Sequence, residues 1–149
     1  MEINGLPVKY EALWARALPV LQQGRKGDDK HAAEVAEFIL AYAENHDLDL
    51  DVLLPVAMMH DIGHSAILPE HMKFVSGSQK LPNAKLVHML AGAKIAKDIL
   101  MTVGYDEEKT EEVVDIIAVH DMDQVKGVDA EKVFDSENKR LFHDIDALD

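Results

Sequence analysis

Eight histidines and no cysteine are spread along the 149-residue chain. Five of those histidines stand in apolar or motif-like settings: His31, His60, His64, His88 and His120. His31 begins a stripe through Val35, Phe38, Ile39 and Tyr42 at helical spacing. His88 shares a face with Ala91, Gly92, Ile95 and Ile99, and His120 ends one made by Val113, Ile116 and Ile117. His60 and Asp61 close the most apolar segment of the chain. Apart from His64, each ring is predicted to point inward. A lone imidazole on an apolar face is more often a hydrogen-bonded core residue than a ligand. Inward rings on separate helices, one with an Asp beside it, change that balance, because each unsatisfied polar group costs roughly 1–3 kcal/mol. A metal ion is a partner they can share. Neutral imidazole and carboxylate suit Fe, Mn, Zn, Co or Ni. The absence of cysteine removes thiolate ligands, thiolate nucleophiles and disulfides. No Ser nucleophile elbow, P-loop or Gly-rich dinucleotide turn offers a competing chemistry.

The order His31, His60-Asp61, Asp146 resembles the motif set of the HD-domain superfamily of metal-dependent phosphohydrolases. The segment Met58-Met59-His60-Asp61-Ile62-Gly63-His64 is similar to its signature, an apolar helix ending in His-Asp-Ile-Gly. The terminal Asp144-Ile145-Asp146-Ala147-Leu148 is similar to its last motif, an Asp followed two residues later by Leu. That alignment makes Asp146 the ligand and Asp144 the fallback. The resemblance covers about residues 31–146. It implies that His31, His60, Asp61 and Asp146 hold one ion. In dinuclear relatives two further histidines bind a second ion and the motif Asp bridges the pair; His88 and His120 stand in suitable places. Two ions are the expectation and a single ion the alternative.

What the resemblance implies for activity is hydrolysis of a phosphate ester of a small-molecule or nucleotide-like substrate. A divalent ion (Fe, Mn, Ni, Co, Zn or Mg) lowers the pKa of its water toward about 7 and neutralises phosphoryl charge. Asp61 would bridge metals or steer the water. Many phosphodiesterase-type relatives have Lys where this chain has His64, which would contact phosphate or act as general acid. Some nucleotidase-type relatives carry an acidic residue just after His-Asp, and this chain does not. Arg25 and Lys73, with Lys80 beside them, are the candidates for binding a substrate anion. Asp121 reads either as a group orienting an imidazole or as a helix-end acid. Two alternatives belong to the same ligand set: a di-iron oxygenase, and a non-catalytic metal-binding sensor or interaction domain.

The elements that must position these residues read as helical. Leu13, Ala17, Val20 and Leu21 recur at helical spacing, with Pro19 expected to kink or split that segment. Further helices are expected at Lys30 to Glu44, Val52 to about Ile62 with Asp51 as N-cap, Asn83 to about Val103 closed by Gly104, Glu107 to Asp121, and Ser136 to Leu148. Residues Gly63 to Pro82 are the least regular part and read as a functional loop or lid. No strand alternation occurs. The expectation is an all-α protein: a single compact bundle of about six helices around a central metal site, with residues 1–149 as one domain.

Charge narrows the partners. Lys plus Arg number 15 against 28 Asp plus Glu, a formal charge of −13. Binding to long nucleic acid or to an anionic membrane needs the opposite sign. The start of the chain has no basic region followed by an apolar run, and the stretch near residues 52–59 is too short to cross a bilayer. A cytoplasmic enzyme with a small phosphorylated substrate is the resulting expectation, with its oligomeric state open.

Overall fold

The computed structural model describes residues 1–66 and 80–148, with only the backbone described for residues 80–84. Among the described residues there are seven α-helices and no strand: α1 (Glu11–Gln22), α2 (Asp28–Ala43), α3 (Leu50–Met59), α4 (Lys80–Thr102), α5 (Glu107–Val119), α6 (Ala130–Val133) and α7 (Glu137–Asp146). Short 3-10 turns precede α1 (Val8–Tyr10), follow α3 (Ile62–Ala66) and follow α5 (Met122–Gln124). The protein is an all-α bundle.

Its axis is α3. Every residue from Val52 to Met59 is buried, and α1, α2, α5 and α7 pack around them. A helix apolar on all sides must be surrounded in this way. Pro55 sits inside α3 and has no N–H to offer the carbonyl of Asp51. The Tyr105 hydroxyl donates to that carbonyl instead, at 2.6 Å. Tyr105 is delivered there by the end of α4. Gly104 takes a positive φ of 71°, and the amides of Gly104 and Tyr105 donate to the carbonyls of Met101 and Leu100. That pair of bonds closes a helix in the Schellman manner.

Several expectations need correction. Pro19 does not split α1; it lies exposed in the last turn, where the carbonyl it crowds belongs to the exposed Ala15 and can meet water. The N-cap of α3 is Asp49, not Asp51; Asp51 lies in the first turn and accepts from Tyr10. Asn83 is not a cap, because α4 begins at Lys80 and takes Pro82 into its first turn, where a missing N–H costs nothing. The stripe drawn through α2 is only half right. Phe38 and Tyr42 are exposed and stack on each other, and Tyr42 stacks on His46, while Val35 and Ile39 are buried. The lid reading of Gly63 to Pro82 falls largely on residues 67–79, outside the described residues. Its two ends are ordered as the 3-10 turn and the start of α4.

One close approach sets the site. A Cβ on Gly63 would stand 1.8 Å from the His88 carbonyl oxygen and 2.7 Å from the Gly92 nitrogen. The turn after α3 and helix α4 therefore touch backbone to backbone, which only glycine allows. This contact carries His88 alongside His60 and Asp61.

Candidate metal centre

Most of the candidate ligands stand at helix ends. His31 lies in the first turns of α2, His60 caps the C-terminus of α3, and Asp61 follows it. His120 caps α5 and Asp121 follows it; Asp146 ends α7 and His88 comes from the middle of α4. Helices α3 and α5 thus finish in the same way, with His-Asp and then a 3-10 turn.

The side chains form two groups. In one, His31 Nε2 is 2.8 Å and His60 Nε2 is 3.3 Å from Asp146 Oδ1. In the other, Asp61, His88, His120 and Asp121, all buried, each offer an atom within 4.8 Å of the rest. His88 Nε2 is 2.8 Å and His120 Nε2 is 3.4 Å from Asp121 Oδ2. Asp61 faces both groups. Its Oδ2 is 3.2 Å from His60 Nε2 and 3.9 Å from His31 Nε2, while its Oδ1 is 3.7 Å from His120 Nε2.

Hydrogen bonding decides what these rings are free to do. The Nδ1 of His60 donates to the carbonyls of Ala57 at 3.0 Å and Val56 at 3.2 Å. The Nδ1 of His120 donates to the Ile117 carbonyl at 2.7 Å. Each neutral ring then keeps an unprotonated Nε2, and both Nε2 atoms are buried with no hydrogen-bond partner, as is His88 Nδ1. An imidazole fixed by a carbonyl at one nitrogen and open at the other is how proteins present histidine to a metal. The residues present therefore fit a divalent cation, and the cluster of Asp61, His88, His120 and Asp121 could hold one.

The electrostatics agree with that fit. Burial opposes charge on His60, but Asp61 and Asp146 outweigh it and hold its pKa well above the ordinary imidazole value. Burial would raise Asp61, yet His60 and His120 hold it far below the usual carboxylate range. Asp146 is lowered in the same way by His31 and His60. Burial pushes His88 down, only partly offset by Asp121. Asp121 is itself lowered, with His88, His120 and Lys85 outweighing its burial. These carboxylates are acceptors that stay ionised and attract positive charge to the middle of the cluster.

The remaining candidates fall in different places. Asp144 is exposed on α7 and, among the described residues, pairs with His143 at 3.8 Å. His64 does not continue α3, which ends at Met59; it lies in the 3-10 turn with its ring stacked on His88 at 4.2 Å between centroids. Arg25 stands at the edge, its Nη2 3.8 Å from Asp61 Oδ2. Lys73 lies outside the described residues, and the side chain of Lys80 is likewise outside them. Sequence reasoning missed Lys85, whose Nζ is 3.7 Å from Asp121 Oδ2. Its signal was a position one turn before His88 on the same face. It also undervalued Asp121, although the His-Asp dipeptide at the end of α5 repeats the one at the end of α3. No family model matches the chain, and no curated protein or solved structure matches it either.

Proposed function

We propose that the protein is a metal-dependent phosphohydrolase of the HD type, acting in the cytoplasm on the phosphate ester of a small or nucleotide-like molecule. The observation that carries the reading is Asp61, one buried carboxylate turned toward two histidine and carboxylate groups at once. That arrangement suits two neighbouring divalent ions with Asp61 between them, which is the usual architecture for in-line phosphoryl displacement. Ions held there would supply Lewis acidity, a water of lowered pKa and neutralisation of phosphoryl charge.

The chain's own residues do the rest. His31, His60 and Asp146 would hold one ion, and His88, His120 and Asp121 the other. Asp61, ionised at any physiological pH, accepts a hydrogen from the attacking water and orients it. Arg25 and Lys85 stand beside Asp61 and Asp121, one at each group, and place positive charge where phosphoryl oxygens would arrive. His64, against the His88 ring, is the candidate proton donor to the leaving group. The acidic surface outside this rim repels long polyanions and leaves small phosphorylated molecules as the class that can approach.

The test is p-nitrophenol release from p-nitrophenyl phosphate and from bis-p-nitrophenyl phosphate by manganese-loaded protein under nitrogen. Turnover without oxygen, abolished in Asp61→Asn, is expected. Oxygen consumption by iron-loaded protein in place of anaerobic turnover would make it an oxygenase. Full metal occupancy with no turnover of either compound would make it a binding domain.

A further inference from the structure

Asp28 has no part in either ligand group, yet it is buried, with its side chain 5% exposed. It opens α2, where the helix dipole favours a carboxylate. Its Oδ1 accepts from Arg25 Nε at 3.0 Å and pairs with Nη2 of the same guanidinium at 2.9 Å. Its Oδ2 is buried and accepts no hydrogen bond. That oxygen lies 3.2 Å from His64 Nδ1, whose hydrogen is aimed at the Asp61 carbonyl 3.0 Å away. A buried carboxylate oxygen left without a donor weakens a fold. The side-chain hydrogen bond that this carboxylate makes is to Arg25.

What it holds faces the metal centre. The Arg25 guanidinium is gripped on its inner side by Asp28, reaches toward Asp61, and leaves 56% of the side chain open to solvent. An arginine pinned this way has its conformational freedom removed before any ligand arrives, and its outer donors match two oxygens of a phosphoryl group. We propose that Asp28 is a positioning residue whose buried carboxylate sets Arg25 as a preformed clamp for phosphoryl oxygens at the edge of the metal centre. The inference rests on the phosphohydrolase reading for its ligand class, but it concerns binding and not turnover.

The test titrates inorganic phosphate calorimetrically into metal-loaded wild type, Arg25→Ala, Asp28→Asn and the double variant, with metal content measured on the same samples. Arg25→Ala, altered at an exposed side chain, keeps its fold and metal and binds phosphate about tenfold more weakly. Asp28→Asn keeps its metal and also weakens binding, and the double variant loses less than the two single losses combined, because Asp28 acts through Arg25. Added methylguanidinium recovers phosphate binding in Arg25→Ala and fails in the double variant. Unchanged phosphate affinity in Arg25→Ala would overturn the proposal, as would recovery by methylguanidinium without Asp28. Loss of metal from Asp28→Asn would make Asp28 a ligand and overturn it too. Weakened binding in a protein that turns over no phosphate ester would sink the hydrolase reading and leave the clamp standing.

Discussion

Helix α3 carries Asp51 at its N-terminal end and His60 with Asp61 at its C-terminal end, and the two sets of polar groups are satisfied differently. Around Asp51 the network closes on itself. The carboxylate accepts from the Tyr10 hydroxyl at 2.6 Å and pairs with Lys9 at 2.6 Å. Its carbonyl takes the Tyr105 hydroxyl, and Lys109 pairs with neighbouring Asp49 at 3.0 Å. Lys9 and Tyr10 hold Asp51 below its ordinary pKa, while burial and then Asp51 push Tyr10 up. A cleft of about 300 Å³ opens beside these groups, bordered by Leu13, Tyr105 and Lys109. At the other end three buried ring nitrogens have no partner and the carboxylates crowd toward them. One end braces the helix. The other leaves buried ring nitrogens that a cation could take up. An open cleft is therefore a poorer guide to function here than unsatisfied nitrogen.

The largest blow to this contrast comes from Gly63→Ala. The new methyl group has backbone on two sides and nowhere to go. Unfolding in urea should show a loss of roughly 3 kcal/mol, the upper range for overpacking. Metal content should fall with it, because His88 is carried on the displaced helix. A full metal complement in Gly63→Ala would mean that the backbone contact does not set the second group.

Removing the metal should cost less and should depend on pH. His60 in the metal-free protein has a raised pKa, so the stability from its charged form is fully present below the unfolded value of 6.5. That stability is lost as pH rises through the raised folded value. Metal must displace the same proton, so affinity climbs over the same window. The gap in Tm between loaded and chelated protein should widen from about pH 6 upward. At the Asp51 end the sign is reversed. A lowered carboxylate pKa contributes stability above 3.8, lost only as pH falls through the folded value. A gap in Tm that narrows with rising pH would contradict the assignment of His60 as a ligand.

The smallest effect belongs to the closed end. Tyr105→Phe should cost about 1 kcal/mol and leave metal content untouched. The loss should shrink in a Pro55→Ala background, where residue 55 regains an N–H for the Asp51 carbonyl. Equal losses in both backgrounds would break the link between Tyr105 and Pro55.

Much of this was readable from residue order. Apolar spacing marked the helices, and Ser136 accepts from the Lys139 amide as an N-cap should. Local rules failed where tertiary contacts supplied the missing partner. Pro55 is tolerated in the second turn of α3 because a tyrosine from the end of α4 replaces its hydrogen bond, which no window of sequence reveals. Phe38 and Tyr42 match the spacing of the core stripe, but they continue past the buried residues onto an exposed aromatic stack. At the site, the histidines were legible because polar groups on apolar faces stand out. Asp28, Lys85 and Asp121 were harder, since charged residues near helix ends are ordinary on a surface. Tertiary contacts turn them inward: Asp28 meets His64 in the turn after α3, and α4, packed on that turn and on α5, brings Lys85 to Asp121.

The most direct measurement is elemental analysis of freshly purified wild type beside Asp61→Asn, Asp121→Ala and Asp146→Ala. Two groups sharing Asp61 predict about two equivalents in wild type, about one in each of the last two variants, and less than one in Asp61→Asn. A wild-type protein that binds no divalent metal at any pH, or an Asp61→Asn variant that keeps the full complement, would contradict it.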